Sequence, residues 1–513
     1  MKQGQLSKGI LMPAKVSSSH SYSRPVGLMA LIEALDLRVP LPAVRSFVTR
    51  GARRTNISGS TISEYYPQRL RQDTIIGNLK FALRYEPVDL RVLHAAFKVL
   101  ARDDMEEWVR SEPTGIFARR AWYLYELLTG KKLDVPDVPS GGYVDLLSPA
   151  LHITSLGRKA TRQRVNDNLL GGKDYCPLIR RTEKLDEWMT TGLAAEAKQI
   201  VENVDTATLA RAVQYLYTKE TKSSFEIEGE AVGSQRAERF VAALHEVANF
   251  DPTDKQSFIQ LQNSIVDPRY AANDWRDEQN YVGQTMSDYR EHVHYVSPKP
   301  EDVPDLMGGW MKTAELLEGA SVDPVSIAAA LSFGFVFIHP FEDGNGRIHR
   351  FLVHQVLARS GFSPKGVLFP VSAVMLRNMA GYDEVLRGYS SSILPFIDYS
   401  LDAKGQMTVH SETAHLYRYW DATHFAEYLY ECVAETIRRD LKEELGFISV
   451  FDEAMRRTLE IVDMPNRRAS LLVRMILQNG GSLSKAKRPK FAELTDAEIS
   501  TIEAAIRASA NET

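Results

Sequence analysis

Apolar residues recur every three or four positions along most of this chain, which reads as predominantly helical. Leu28, Leu31, Ile32 and Leu35 share one helical face, as do Leu90, Leu93, Phe97 and Leu100 within 88–101. Phe117, Trp122, Leu124, Leu127 and Leu128 do the same within 115–128, and Gly130 stands where a helix would stop. The spacing predicts further helices over 205–219, 234–250, 303–318 and 321–338, and a helix-rich stretch over 412–445. Three segments depart from it. Gly51 to Ser63, rich in Gly, Ser and Arg, reads as an exposed loop. Residues 279–297 read as a short hairpin or extended flap, and Met407 to Val409 as a short strand.

Punctuation divides the chain. Residues 1–25 are polar and read as a mobile leader. The Pro- and Gly-rich stretch from Asp134 to Gly142 is the best linker of the first half, and 143–182 look partly extended. Near the end, Leu471, Leu472, Met475, Ile476 and Leu477 form a helical face closed by Asn479-Gly-Gly481, and Thr495 with Glu498 makes a capping box. The chain reads as mainly α with an N-terminal α/β region. The expected organisation is a mainly helical region of unknown role over 1–140, a partly extended connecting segment over 141–182 and a mainly helical core over 183–400. A helical extension over 401–447 and a helical, winged-helix-like module over 448–513 complete it.

Composition narrows the class. The chain has 513 residues, 44% apolar and 25% charged, as an ordinary globular protein does. A formal net charge of -4 offers no chain-wide basic excess for nucleic acid. Two cysteines, Cys176 and Cys432, cannot make a disulfide framework. The longest apolar run, Ile327 to Ile338, is too short to span a bilayer, and no secretory signal follows Met1. The expectation is a cytoplasmic protein with no membrane attachment.

The chemistry concentrates in His339-Pro-Phe-Glu-Asp-Gly-Asn-Gly-Arg-Ile-His-Arg350, a polar loop between two apolar helical runs. Gly344 and Gly346 let backbone approach a ligand closely, and the N–H groups of a helix start favour phosphate. Arg347 and Arg350, three apart, can clamp phosphate oxygens. Asp343 is a hard oxygen ligand suited to Mg²⁺ bound together with phosphates, and His339 is a natural general base. Together they make a phosphoryl- or nucleotidyl-transfer constellation.

This stretch resembles the signature of the Fic family, His-x-Phe-x-(Asp/Glu)-Gly-Asn-Gly-Arg-x-x-Arg, at every specified position. The resemblance implies a Fic-type helical core with a β-hairpin flap and a protein adenylyltransferase, which moves AMP from ATP to a Ser, Thr or Tyr hydroxyl of a target protein. It assigns His339 as the base, Asp343 as the Mg²⁺ ligand, and Gly344, Asn345 and Gly346 as the anion hole for the α-phosphate. Arg347 and Arg350 would hold the β- and γ-phosphates, with Phe341 as a core anchor. His349 lies outside the signature and reads as an ordinary helix-surface residue. Ser224, Glu228 and Gly229 resemble the family's inhibitory motif, in which Glu228 would reach Arg350 and take the place of a γ-phosphate. Trp275 to Gln284, with Tyr295 to Pro298, looks like the family's flap. Tyr382 falls where the family places a nucleobase-contacting helix. The likeness spans roughly 183–395, and family members often dimerise.

Three alternatives stay open. Some relatives transfer UMP, phosphate or phosphocholine, although Gly346 and Arg347 argue against phosphate transfer of the Doc type. A second alternative is removal of AMP, with Glu228 positioning water. A third, of another class, is a DNA-binding regulator using Lys485, Lys487, Arg488 and Lys490 of the C-terminal module.

Overall fold

A computed structural model describes residues 23–59, 61–230, 233–285 and 291–511. The polar leader thus lies almost wholly outside the described residues. The chain folds as two compact units, each discontinuous in sequence: one takes 1–190, 246–360 and 378–430, the other 191–245, 361–377 and 431–513. No helix among the described residues is long and apolar enough to cross a membrane.

The first unit begins with the expected α/β region. Its sheet runs Arg24–Pro25, Val44–Thr49, Thr61–Pro67, Arg54–Ser58, with the two central strands parallel. The stretch Gly51 to Ser63, expected as a loop, is therefore mostly strand. Arg54–Ser58 pairs antiparallel with Thr61–Pro67, and Gly59 takes φ 57 at the turn. Every residue of Arg54–Ser58 is exposed, so an edge strand without an apolar face gave no alternation to read. Beneath lie the helices Ile75–Tyr85, Leu90–Val99, Arg102–Ser111 and Ile116–Thr129, packed around the fully buried Trp122, Leu124 and Val92. Gly130 closes the last of them at φ 69, as expected.

Glu86 caps this region from within. Its carboxylate accepts the Leu28 N–H at 2.8 Å, at the start of the helix Leu28–Ala34, and is 2% exposed. Burial pushes its pKa up to about 7. The fold therefore holds this proton more tightly than the unfolded chain does. That contribution to stability is complete below about pH 4.5 and is lost as pH rises towards 7. Melting curves of Glu86→Gln and the parent should diverge in the variant's favour from pH 5 to pH 8; an equal gap at both values would contradict the assignment.

The connecting segment docks through Tyr175. Its hydroxyl donates to the Ala330 carbonyl at 2.7 Å, and a Cβ on Gly334 would fall 1.6 Å from the Tyr175 hydroxyl oxygen. Cys176–Leu178 pairs in parallel with Tyr419–Asp421. The elements that carry the site are α1 (Lys255–Ile265), the hairpin β1 (Tyr281–Thr285) and β2 (Glu291–Val296), α2 (Val303–Leu317), α3 (Pro324–Ile338), α4 (Asn345–Arg359) and α5 (Met379–Ile393). The hairpin expected over 279–297 is present.

The second unit packs the long helix Thr206–Ile227 with Lys442–Ile461, Asn466–Leu477 and Asp496–Asn511. Buried Glu220 accepts the Ser372 N–H at 2.9 Å, and Lys219 pairs with Asp440 at 2.6 Å. The expected capping box forms: Glu498 N–H donates to Thr495 Oγ1 at 3.2 Å and Thr495 N–H to Glu498 Oε2 at 2.7 Å. The C-terminal module holds no strand among its described residues, so it lacks the wing of a winged helix. Arg488 is also committed there, to Asp496 at 2.8 Å and the Phe491 and Leu494 carbonyls at 2.6 and 2.7 Å.

Candidate active site

Helix α3 is buried nearly all round and ends at His339, which adopts the left-handed conformation at φ 52, ψ 58. That conformation costs a non-glycine residue on the order of 1 kcal/mol. The ring Nδ1 lies 3.1 Å from the Val336 carbonyl. An N–H at Nδ1 satisfies that oxygen, and the lone pair then sits on Nε2. The sharp turn lifts the loop off the helix axis and leads into Phe341, fully buried against Trp275 at 5.1 Å, the expected anchor.

Two amides shape the loop. Asn345 Oδ1 accepts the Phe341 N–H at 3.0 Å while its Nδ2 donates to the Phe341 carbonyl at 2.8 Å, closing the chain on itself. Gln262 of α1, fully buried, donates to the Asp343 carbonyl at 3.2 Å and the Tyr270 carbonyl at 2.9 Å. Gly344 precedes α4 at φ 93, and a Cβ there would meet Val266 at 3.0 Å, so only glycine fits. The N–H groups of the first turn of α4, including Asn345 and Gly346, have no acceptor within the helix and add its dipole to an anion site.

Arg347 is 1% exposed. It donates to Asp343 Oδ1 at 2.7 Å and to the Ile265 carbonyl at 3.0 Å, so it braces the loop against α1. Arg350 is fully buried. Asp343 Oδ1 also accepts the Gly344 N–H at 2.6 Å, and its side chain is 37% exposed. A carboxylate of that exposure suits Mg²⁺, which takes one or two carboxylates and fills its shell with water and phosphate. No group of three or more His, Cys, Asp or Glu among the described residues forms a metal cage.

A cleft of about 600 Å³ opens beside His339. The flap contributes Val282, Gln284, His292, His294 and Tyr295, and the end of α3 contributes Val336 and Phe337. The third wall is a stripe of α5: Asp383, Leu386, Arg387 and Ser390, at i, i+3, i+4 and i+7. The flap pairing shifts between Val293 and Tyr295, which leaves His294 in a bulge, a device that re-aims side chains beside active sites. The Tyr295 hydroxyl donates to the Phe337 carbonyl and the Tyr417 hydroxyl to the Val296 carbonyl, so the inner flap strand is moored to α3 and to the helix Ala414–Arg418.

One expectation needs correction. Tyr382 is 4% exposed and packs against Tyr428 and His349, one residue before Asp383 of the cleft wall. His349 is no surface residue. It is fully buried between Phe333 at 4.5 Å and Tyr382 at 6.3 Å, and burial lowers its pKa to about 3. The cause is that α4 is buried on nearly every side, so periodicity cannot show which face meets solvent.

Ser224, Glu228 and Gly229 lie in the second unit. Ser224 is fully buried in the last turn of Thr206–Ile227, Glu228 follows as its cap residue, and Gly229 takes φ 70. The helix runs eight residues beyond the predicted 219 to bring the motif to its C-terminus.

Comparison with known proteins follows the same lines. Residues 252–357 match the Fic/DOC family. Over 380 residues the chain is 23% identical to Protein adenylyltransferase Fic of Aedes aegypti, covering 70% of each. It is 30% identical over 145 residues to Protein adenylyltransferase fic-1 of Caenorhabditis elegans, covering 28% of this chain and 26% of that one. With Protein adenylyltransferase Fic of Drosophila melanogaster it shares 30% over 165 residues, 31% of each. The chain thus spans under a third of the length of the latter two relatives. A solved Fic family protein from Desulfovibrio desulfuricans G20 aligns over 62% of this chain and 89% of its own at 18% identity, with a TM-score of 0.39. Over 252–357 the chain is thus similar to the Fic/DOC family, and the relatives it resembles carry the name protein adenylyltransferase.

Proposed function

We propose that this chain is a protein adenylyltransferase that moves AMP from ATP to a Ser, Thr or Tyr hydroxyl of a target protein, itself included. The observation that carries the reading is the end of α3, where His339 lines the cleft with Nδ1 turned to the Val336 carbonyl, six residues before the phosphate-favouring start of α4.

In this scheme Nε2 of His339 takes the proton of the target hydroxyl. The oxygen attacks the α-phosphorus, and the bond to the pyrophosphate oxygen breaks in line. The N–H groups of Gly344, Asn345 and Gly346 meet the charge that develops on the α-phosphate. Arg350, with Arg347, holds the β- and γ-phosphates. The flap and the α5 stripe enclose the rest of the nucleotide. Asp343 would hold Mg²⁺, which neutralises phosphate charge when bound. Glu228 acts as a brake by competing for Arg350. A cytoplasmic setting and a homodimer belong to the same proposal.

Incubation with ATP and Mg²⁺ in a lysate of the parent cell, followed by mapping of modified side chains by mass spectrometry, tests the acceptor. AMP on hydroxyl side chains is expected; another phosphate-bearing group there would move the enzyme elsewhere in its family. Asp343→Ala should flatten the Mg²⁺ dependence of ATP affinity, since it removes a direct oxygen ligand. A titration that overlays the parent's would place the metal on other groups.

A further inference from the structure

Arg276 is buried beneath the flap at 8% exposure, and its hydrogen bonds in the structure run to main-chain carbonyls. Nε donates to the His339 carbonyl at 2.7 Å, one Nη to Glu278 at 2.8 Å and the other to Pro298 at 2.6 Å. Its own N–H donates to the Pro340 carbonyl at 2.8 Å. Glu278 precedes the outer flap strand β1 and Pro298 follows the inner strand β2, so one guanidinium holds both stems of the hairpin. The same residue grips the turn that holds the left-handed His339, its guanidinium on the His339 carbonyl and its backbone N–H on the Pro340 carbonyl. A planar fork donates from three separate nitrogens and so spans three carbonyls, whereas an ammonium donates from one nitrogen and reaches less far.

We propose that Arg276 is a positioning residue that locks the main chain of His339 to the flap, so that a side chain presented on the flap is held in register with Nε2. This rests on the reading of His339 as the base of a transfer reaction. The cost of the arrangement supports a purpose beyond packing. A cation is buried against carbonyls, which lowers its pKa to about 10, where an apolar side chain would fill the same space without desolvation. Tyr295 reinforces the tie through the Phe337 carbonyl, two residues before His339 on α3. A displacement of about 1 Å between base and acceptor is enough to lower a rate by about 100-fold.

The test uses Arg276→Gln and Arg276→Lys in the full chain. Lysine keeps the charge but can reach only part of the three-way contact, and it carries the comparison if the glutamine variant does not fold. Hydrogen exchange by mass spectrometry is read over 278–298 and over 336–345, and turnover and ATP affinity are measured on the same preparations. The proposal expects exchange to rise together in both segments, with kcat down by about tenfold or more and the KM for ATP within about twofold of the parent. Faster exchange in the flap alone, with 336–345 as protected as in the parent, would overturn it. So would a loss expressed wholly in KM. If the parent shows no AMP transfer, the proposed activity fails, and the exchange comparison still decides whether Arg276 couples the two segments.

Discussion

Replacing His339 by alanine should cut AMP transfer by at least about 100-fold while ATP affinity stays within about twofold of the parent. The asymmetry follows from where the ring is tied. Its Nδ1 faces the Val336 carbonyl, whereas the phosphate contacts of the scheme come from the start of α4 and its arginines. Loss of the base therefore acts on the proton transfer and not on the nucleotide. Alanine also accepts φ 52 no better than histidine, so the turn must be checked by melting temperature before the rate is interpreted. Unchanged transfer by a folded His339→Ala protein would remove His339 from the chemistry.

The second large effect is expected in the opposite direction. If Glu228 competes with the γ-phosphate for Arg350, the purified parent is slow and Glu228→Gly is fast. Alignment of the α-phosphorus for in-line attack is worth several kcal/mol, so a rise of about tenfold or more in self-labelling is expected. Glu228 caps the helix Thr206–Ile227 while Glu226 lies inside its last turn, so Glu226→Gly controls for helix weakening. Activation should appear in Glu228→Gly, be absent in Glu226→Gly, and vanish when Arg350→Ala is added to Glu228→Gly. Equal rates for the parent and Glu228→Gly would leave Ser224 to Gly229 as an ordinary helix end.

The loop from His339 to Arg350 was legible in the sequence because its residue types are dictated by local backbone and charge. Gly344 answers a positive φ and a near neighbour, and Asn345 closes the loop on Phe341. The flap was legible through its alternation, and the capping box of Thr495 through spacing alone. What stayed hidden depends on contacts distant in sequence. Gln262 and Arg276 do their work through carbonyls 81 and 63 positions away, and no local pattern announces a side chain that bonds remote backbone. His349 shows the limit of position along a helix: on α4, buried on nearly every side, no periodicity marks a face as core or surface. The strand Arg54–Ser58 was missed because an exposed edge needs no apolar alternation.

The central claim is that this site breaks ATP between its α- and β-phosphates and gives the α-phosphate to protein. The most direct measurement incubates the parent and Glu228→Gly proteins with Mg²⁺ and ATP labelled at either the α- or the γ-phosphate, and counts label on protein. The account predicts label from α-labelled ATP, stronger in Glu228→Gly, none from γ-labelled ATP, and none from either in His339→Ala. Label arriving from the γ-phosphate, or no label from the α-phosphate in any of these proteins, would contradict it.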